Sequence, residues 1–334
     1  MARFEFAVDM GTSSTSLHRS GAGAVLREPS VLALSSGRRE KLLAVGGSAR
    51  KLVGRTPTGV AVHFPLSAGG VQNFPLAARM LEEFMRKVLP GGSLRTRFKL
   101  LLLAPCGSSP EDKQTLSRLC YDAGARQAVV IDAPCATLYG LSDPFGETEP
   151  AMIVDIGGGK TDISVVTRRG MVAGCSVAIG GNNLDAALLS LLEEKYSLRT
   201  GVLSAERLRI QVGSLHPADR AEAEVSGADC QSGAPSSVAF GSKALYPELS
   251  RHYGAIFASA AALLGELPAE GAADIRRRGA YLTGGASQVP GIAKAFEGAT
   301  GIKANLAEDP LLCTVNGGGR LLAQPKLLEP LLGQ

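Results

Sequence analysis

Two short segments of the chain combine an aspartate with a glycine turn, an arrangement that suits phosphate chemistry. Asp9 ends one apolar run and is closely followed by Gly11, and Asp155 ends another and is closely followed by Gly157. Glycine allows backbone N–H groups to approach phosphate oxygens closely. The carboxylates cannot hold phosphate directly, but they suit the water shell of a Mg²⁺ ion. Two such turns facing each other would hold a polyphosphate from both sides.

The candidate phosphate-binding residues are the glycine, hydroxyl and ammonium residues of these turns. They are Gly11, Thr12, Ser13, Ser14, Gly157, Gly158, Gly159, Lys160 and Thr161. A single Asp-x-Gly turn is most simply explained as a tight hairpin connection, because short motifs often occur by chance. Its recurrence at equivalent places in the two halves of the chain indicates an internal duplication instead.

A third glycine segment lies further along the chain, at Gly284, Gly285 and Ala286. It separates a predicted strand from a predicted helix, where glycine is common, so alone it is a weak signal. Bare glycines at this place would let a purine and its ribose lie flat against the backbone. Following the two turns in this order, the segment completes the pattern of a nucleotide site.

Alternating strands and helices are predicted to position these turns. Strands are predicted at residues 4–8, 25–34, 98–104, 128–131, 151–155, 162–167, 170–179 and 279–282. Helices are predicted at residues 75–88, 111–123, 183–195, 204–212, 245–267 and 288–300, with one more beginning near residue 134. The polar stretch 219–243, rich in Gly and Ser, is predicted to form a small β-rich insert. The two halves therefore open in the same way, with a strand, a glycine turn and a second strand.

Length and composition limit the class of protein. The chain has 334 residues, more than the ~250–300 at which a single core usually divides, so two main domains are expected. Hydrophobic residues make up 45% and charged residues 20%, as in ordinary soluble globular proteins. Trp is absent and aromatics make up 5%, which argues against a base-stacking surface. No nucleic-acid partner is expected, and the net charge of +4 favours no other class of partner.

The cysteines and the N-terminus bear on the compartment. The six cysteines form no C-x-x-C pair, so reduced thiols in a cytosol are expected rather than a zinc site or a disulfide framework. The chain shows neither a signal peptide nor a run of ~20 apolar residues. A soluble cytoplasmic protein, at most peripheral on the inner face of the membrane, is expected.

The three glycine elements in this order resemble the nucleotide motifs of the actin, DnaK-type chaperone and sugar kinase superfamily. Within it the chain resembles the MreB family of bacterial actin homologues over nearly its whole length. Most of the matching segments lie outside the nucleotide motifs, which makes the resemblance specific to that branch. They lie at residues 27–31, 43–46, 54–57, 123–126, 180–181 with 184–185, and 307–313.

The resemblance implies an α/β, actin-like fold. Two duplicated ribonuclease H-like domains, each a mixed sheet flanked by helices, would surround a nucleotide cleft and carry two small inserted subdomains. The implied subdomains are IA (residues 1–32, 66–145 and 312–334), IB (33–65), IIA (146–180 and 245–311) and IIB (181–244). It further implies ATP or ADP with Mg²⁺, held by Asp9 and Asp155, and head-to-tail filaments that govern cell shape and wall synthesis together with elongation proteins.

Four further residues join the candidate nucleotide site through the resemblance. Glu206 and Arg209 match positions where MreB proteins contact the adenosine, and the alternative interpretation is a solvated helix face. Gly181 lies in a matching segment. Asn182 stands where the family often has an acidic residue, so the cleft is expected to carry less negative charge than usual.

Two departures from the family concern the attacking water. MreB proteins usually have a Glu directly before the proline of the segment 131–134, and here that residue is Ala133. In the second glycine turn, the family commonly has a Thr that helps to hold the same water, and this chain has Lys160 at that position. Phosphoryl transfer depends on positioning and electrostatics, so slow or absent hydrolysis with retained binding is predicted. Asp132, one residue displaced, is the candidate weak substitute for the missing Glu.

Lys160 has two interpretations. Its ammonium group can bind the terminal phosphate or partly replace the metal ion. Alternatively, it can form a structural ion pair with Asp132 or Asp9. The sequence does not decide between these roles.

A membrane contact is suggested by residues 89–99, where Leu94 and Phe98 stand among three cationic residues. Such a loop suits insertion beside anionic lipid. In the alternative interpretation, Leu94 covers the core and the cations are solvated.

Two functions follow from the sequence. The first is an ATP-binding cytoskeletal filament protein with weak hydrolysis. The second is a non-polymerising pseudo-ATPase regulator or scaffold on the same fold, which the altered water site favours.

Overall fold

The computed structural model describes residues 4–37, 40–143 and 145–332, in which strands and helices alternate. The strands are β1 (Phe4–Met10), β2 (Ser14–Arg19), β3 (Gly23–Pro29), β4 (Leu32–Ser35), β5 (Leu42–Val45), β6 (Val60–His63), β7 (Leu66–Ser67), β8 (Gly70–Val71), β9 (Phe98–Ala104), β10 (Gln127–Asp132), β11 (Ala151–Ile156), β12 (Thr161–Thr167), β13 (Gly170–Val177), β14 (Leu198–Arg199), β15 (Glu222–Asp229), β16 (Pro235–Gly241), β17 (Ala280–Thr283) and β18 (Ala304–Leu306). The helices are α1 (Gly47–Arg50), α2 (Phe74–Val88), α3 (Pro110–Asp122), α4 (Ala133–Gly140), α5 (Gly181–Tyr196), α6 (Val202–Val212), α7 (Ser242–Gly265), α8 (Ala269–Arg278), α9 (Ile292–Thr300), α10 (Cys313–Ala323) and α11 (Pro325–Leu328).

Two five-stranded sheets with one topology form the centres of two lobes. Their strand orders are β3-β2-β1-β9-β10 and β13-β12-β11-β17-β18. In each sheet the first three strands along the chain are antiparallel, and the remaining pairs are parallel. Each glycine turn connects the first two strands of its sheet. The duplication expected from the sequence is therefore confirmed.

Small sheets extend from the two lobes. One has the strand order β5-β4-β6, and another, β14-β15-β16, includes the insert that was predicted to be rich in β structure. A short hairpin pairs β7 with β8 and lies beside the first glycine turn, where the Gly69 N–H donates to Thr12 Oγ1 over 3.2 Å. The residue boundaries of the four subdomains stay a prediction.

A shared apolar core joins the two lobes. It contains Leu101 from β9 of one sheet and Ile153 from β11 of the other, together with buried residues of α4 and α10. The two helices cross so closely that a Cβ atom at Gly317 of α10 would overlap the Ala136 carbonyl group of α4. Burial of each large apolar side chain contributes about 1.5–3 kcal/mol, so this core fixes the lobes at their base and directs the glycine turns toward each other.

Two predicted elements differ in the structure. The single strand expected at residues 25–34 is divided between β3 and β4, because Ser30 leaves the ladder and its N–H donates to the Ser13 carbonyl over 3.1 Å. The helix expected at residues 288–300 begins only at Ile292. Pro290 and Gly291 precede it, and Gly291 has a φ of 84° that a helix does not accept. Helices α8 and α10 were not predicted.

The cysteines of the described residues are free thiols. Four of the six are buried, and two are partly buried. They pack as small apolar side chains.

Candidate nucleotide-binding cleft

A cavity of about 460 Å³ lies between the two lobes. Most of the residues predicted for the nucleotide site line it. They are Asp9, Gly11, Thr12, Ser13, Ser14, Asp155, Gly157, Gly158, Gly159, Lys160, Gly181, Asn182, Glu206, Arg209, Gly284, Gly285 and Ala286. Thr161 does not line the cavity. It is buried in β12, and its hydroxyl donates to the Ile179 carbonyl over 2.7 Å.

The first glycine turn is held in shape by hydrogen bonds from its own backbone and from Ser30. The Gly11 N–H donates to the Ser14 carbonyl over 3.0 Å and closes the turn. The Ser30 hydroxyl donates to the Gly11 carbonyl over 2.7 Å. The turn is therefore preorganised, and the chain does not have to order it when a ligand binds.

The second glycine turn is held against the start of helix α5. The Gly157 N–H donates to the Lys160 carbonyl over 3.0 Å, while the N–H groups of Gly181 and Asn182 donate to the turn over 3.0 and 2.8 Å. The N-terminus of α5 thereby lies beside the cavity. Because the N-terminal end of a helix carries partial positive charge, this wall of the cavity favours an anion.

The two turns touch each other across the cleft. A Cβ atom at Gly158 would overlap Ser13 Oγ, and one at Gly159 would overlap the side chain of Thr12. A side chain at either place would force Ser13 or Thr12 to move. Glycine therefore favours the close approach between the lobes.

Asp9 and Asp155 lie together at the floor of the cavity. Burial raises the pKa of Asp9 to about 6, with a further contribution from the negative charge of Asp162. Burial raises the pKa of Asp155 to about 7, and repulsion from Asp9 adds to the effect. Because two buried neighbouring carboxylates repel each other when both are ionised, a cation bound between them would be stabilised.

The donor set fits Mg²⁺ better than a metal held wholly by side chains. Among the residues that the structure describes, no group of three or more His, Cys, Asp or Glu residues could hold a metal ion. Mg²⁺ typically keeps several waters and takes one or two carboxylates together with substrate phosphates. Asp9 and Asp155 would supply the carboxylate part of such a site.

The third glycine segment packs directly against this floor. Gly284 has a φ of 84°, and a Cβ atom there would overlap the Asp155 carboxylate. Its N–H donates to the Pro310 carbonyl over 2.9 Å, while the Ala286 carbonyl accepts from the Tyr253 hydroxyl over 2.6 Å. The segment is thus fixed on both sides, with its glycines facing the cavity.

Three cationic side chains of the cavity form ion pairs with carboxylates that also line it. Lys160 pairs with Asp162 over 2.7 Å, Arg209 pairs with Asp185 over 2.6 Å, and Arg50 pairs with Glu206. The predicted partners of Lys160, Asp132 and Asp9, are therefore wrong. Asp162 accepts the ammonium group because the turn returns directly into β12, which carries this carboxylate. Lys160 also donates to Ser176 Oγ over 3.1 Å.

Asp132 does not line the cavity, so its predicted role as a substitute for the missing Glu is not supported by its position. It is 7% exposed and forms an ion pair with Lys113 of α3 over 3.1 Å. Ala133, the next residue, does line the cavity. The Asp132 carboxylate is thus turned to Lys113 of α3, and only the apolar Ala133, at the start of α4, reaches the cleft.

The structure contradicts a membrane contact by Phe98. This side chain is 0% exposed within β9, in the core of the first lobe. Leu94 is partly buried and packs against the same core, as in the alternative interpretation. In the part of the chain that the structure describes, no helix is both long and apolar enough to span a bilayer.

Sequence reasoning missed several charged residues that line the cavity. They are Arg27, Arg50, Asp162 and Asp185. Asp162 closes the second glycine motif and could have been read from it. Arg50 reaches the cavity only because α1 and α6 meet across the cleft, which no local pattern shows.

Comparisons with known proteins agree with this architecture. Residues 3–330 match the family model described as MreB/Mbl protein. The chain is 33% identical over 322 residues to the cell shape-determining protein MreB of Escherichia coli strain K12, a match that covers 95% of this chain and 93% of that protein.

Two solved structures are similar in fold. MreB5 of Spiroplasma citri bound to ADP superposes with a TM-score of 0.90 at 24% identity and covers 98% of both chains. The MamK double helical filament has a TM-score of 0.79 at 20% identity and covers 96% of this chain and 99% of that one. The predicted actin-like fold class is thereby confirmed. With the sequence match over nearly its whole length, the chain belongs to the MreB/Mbl family of cell shape-determining, actin-like proteins.

Proposed function

We propose that this protein binds ATP in the cleft between its lobes and assembles head to tail into cytoskeletal filaments. The observation that carries the proposal is the meeting of the two glycine turns at one cavity, with Asp9 and Asp155 at its floor. MreB5 of Spiroplasma citri has been solved bound to ADP and bound to AMPPNP, and MamK as a double helical filament. These relatives support the same roles here.

Each part of the cavity has a place in nucleotide binding. The N–H groups and hydroxyls of the two turns, residues 11–14 and 157–159, surround the phosphates, and the N-terminus of α5 adds positive potential. Gly284, Gly285 and Ala286 receive the adenosine together with Glu206 and Arg209. Asp9 and Asp155 hold the water shell of Mg²⁺, which neutralises the phosphates when it is bound.

Hydrolysis is proposed to be slow or absent. Ala133 faces the cavity without an acceptor for the attacking water, and Lys160 is engaged by Asp162. Loss of a single positioned group costs on the order of 10²-fold in rate by analogy with oxyanion donors. With both water-positioning groups replaced, at Ala133 and Lys160, ATP binding is retained and the rate of hydrolysis is low.

Assembly and cell-shape control are proposed from family membership. A head-to-tail contact is heterologous and therefore propagates into a filament unless its rotation closes a ring. Filaments of this protein would act in the cytoplasm, at the inner face of the membrane, with cell-wall elongation proteins as partners. We propose that the four subdomains IA, IB, IIA and IIB, with the residue ranges given above, are the rigid units of this assembly.

Calorimetric titration with ATP and Mg²⁺ tests the nucleotide site. We expect the protein to bind ATP and a Gly158→Ala variant to bind it at least about tenfold more weakly, because the added methyl group separates the turns and removes hydrogen bonds to a charged ligand. The matched control is Gly298→Ala, since nothing lies within 4 Å of a Cβ atom at that glycine. Absence of ATP binding by the unaltered protein would refute the proposal.

One observation favours a second function. Ala133 and the Lys160–Asp162 pair remove the water-positioning groups from the cleft while its phosphate-binding turns are retained. A non-polymerising pseudo-ATPase regulator on the same fold would have this combination. ATP binding without assembly, in the presence and absence of anionic vesicles, would favour it.

A further inference from the structure

Arg27 stands apart from the other cationic residues of the cleft. Four cationic side chains line the cavity: Arg27, Arg50, Lys160 and Arg209. The last three form the ion pairs described above. Within residues 4–37, 40–143 and 145–332, Arg27 forms neither an ion pair nor a side-chain hydrogen bond, and it is exposed. A guanidinium group is charged at every physiological pH, so this charge faces the cavity without a partner.

The sheet directs Arg27 toward the phosphate end of the cleft. Across the first three strands, Asp9 is paired with Ser16, and Ser16 is paired with Arg27. Directly opposite residues of antiparallel strands place their side chains on the same face of the sheet. Arg27 therefore lies on the face of Asp9, two strands and about 10 Å away along the sheet. Ser16 between them is buried and does not line the cavity, whereas Arg27 does.

The charge of Arg27 acts on this end of the cavity. It lowers the pKa of Asp9, against the larger opposing effect of burial. Asp9 and Asp155 are, among the described carboxylates that line the cavity, the two without an ion pair. If a magnesium ion is bound beside Asp9 and Asp155, it neutralises their charge, and the guanidinium group of Arg27 is then available to bind an anion. Arginine matches phosphate oxygens with two parallel N–H donors, which makes a phosphate the fitting anion.

We infer that Arg27 is a phosphate-binding residue of the cleft, whose guanidinium group contacts the polyphosphate chain of ATP or ADP from the side of β3. This inference rests on the proposed nucleotide binding and adds a side-chain cation outside both glycine turns. Arg27 thereby makes the site selective for di- and triphosphates over the bare nucleoside. Arg27 is not proposed to contact the adenosine, which would bind at the other end of the cavity, at Gly284 to Ala286.

Titrations of an Arg27→Gln variant with ATP, ADP and adenosine test this role. We expect ATP and ADP to bind about tenfold or more weakly than to the unaltered protein, because a charge-assisted hydrogen bond is lost. Adenosine should bind equally well to both. Arg27→Lys keeps the charge but not the paired donors, so it should recover part of the affinity. The matched control is Arg19→Gln on the adjacent strand β2, which removes the same charge outside the cavity and should leave all three affinities unchanged.

The outcomes separate this inference from the proposal on which it rests. Unchanged affinity of Arg27→Gln for ATP and ADP would overturn the role of Arg27 and leave the nucleotide site standing. An equal loss of adenosine binding would also overturn it, because it would show a general change of the cleft. If the unaltered protein bound none of the three ligands, both the nucleotide site and the role of Arg27 would be refuted.

Discussion

The two aspartates of the cleft floor give the nucleotide-free protein a defined pH dependence. Burial raises the pKa of Asp9 to about 6 and that of Asp155 to about 7 from an ordinary 3.8. The folded state therefore keeps protons that the unfolded state releases at lower pH. The contribution of these groups to the free energy of unfolding is fully present below about pH 4 and is lost as the pH rises through about 7.

We expect Asp155→Asn to weaken this dependence. The melting temperature of the nucleotide-free protein should fall between about pH 5 and about pH 8, and it should fall less in the variant, which no longer titrates at this position. Asp122→Asn, an exposed carboxylate outside the cavity, is the control and should follow the unaltered protein. Parallel curves for all three proteins would contradict the account of the cleft floor.

Lys160 is expected to act mainly through its ion pair. Its side chain and that of Asp162 are 16% and 14% exposed, and Asp162 also accepts hydrogen bonds from Ser176 Oγ and the Cys106 N–H. Lys160→Ala should lower the free energy of unfolding by about 1–3 kcal/mol, because it removes a hydrogen bond between charged groups. Denaturant unfolding measures this loss, and ATP titration should show little change. A large loss of ATP affinity with unchanged stability would instead support the phosphate-binding role.

The missing water-positioning groups can be restored. Ala133 is the first residue of α4 and faces the cavity, so a Glu placed there is favoured by the helix N-terminus. The double variant Ala133→Glu, Lys160→Thr should hydrolyse ATP on the order of 10²-fold faster than the unaltered protein. Phosphate release measures the rate, and Ala133→Gln with Lys160→Thr is the control without a carboxylate. Equal rates in the two double variants would refute the assignment of Ala133.

At the scale of elements, the crossing of α4 and α10 depends on glycine. A Cβ atom at Gly317 would overlap the Ala136 carbonyl, a backbone group that cannot turn away. Gly317→Ala should destabilise the protein by about 1–3 kcal/mol, although Ala is the better helix former. Gly254→Ala in α7 meets nothing within 4 Å and should stabilise by about 0.5–1 kcal/mol. Denaturant unfolding compares the two, and equal effects would contradict the close crossing.

The same elements show where sequence reasoning worked and where it ended. The predicted strand at residues 98–104 agrees with the limits of β9. A continuous apolar run of this length is typical of a strand that is buried on both faces of a parallel sheet. Helix α10 was missed because Gly317, Gly318 and Gly319 are poor helix formers, and they are tolerated only through contacts with the rest of the fold. Local propensity cannot show such contacts.

In the candidate site, too, some residues could be found from local sequence and others depend on contacts between distant elements. The residues of the glycine turns could be found from the sequence, since a repeated motif needs no knowledge of the fold. Arg27 and Arg50 reach the cavity only through the pairing of β2 with β3 and the meeting of α1 with α6. Its cationic neighbours suggested a membrane contact for Phe98, but Phe98 is also the first residue of the predicted strand 98–104, and that strand buries it.

At the scale of the whole molecule, the lobes are joined at the base and across the cleft. The shared core fixes the base. Arg50 of α1 pairs with Glu206 of α6 across the cleft, and the Asp162 carboxylate of the second lobe accepts the Cys106 N–H of the first over 3.2 Å. Because the nucleotide would lie between these contacts, its binding is expected to set the angle between the lobes and, through it, the fit of one subunit to the next.

Electron microscopy of the purified protein with ATP, with ADP and without nucleotide tests this account most directly. We expect filaments in ATP that persist for hours, because slow hydrolysis is proposed from Ala133 and Lys160. Monomers or small oligomers under all three conditions would contradict the filament function and would favour the pseudo-ATPase regulator on the same fold.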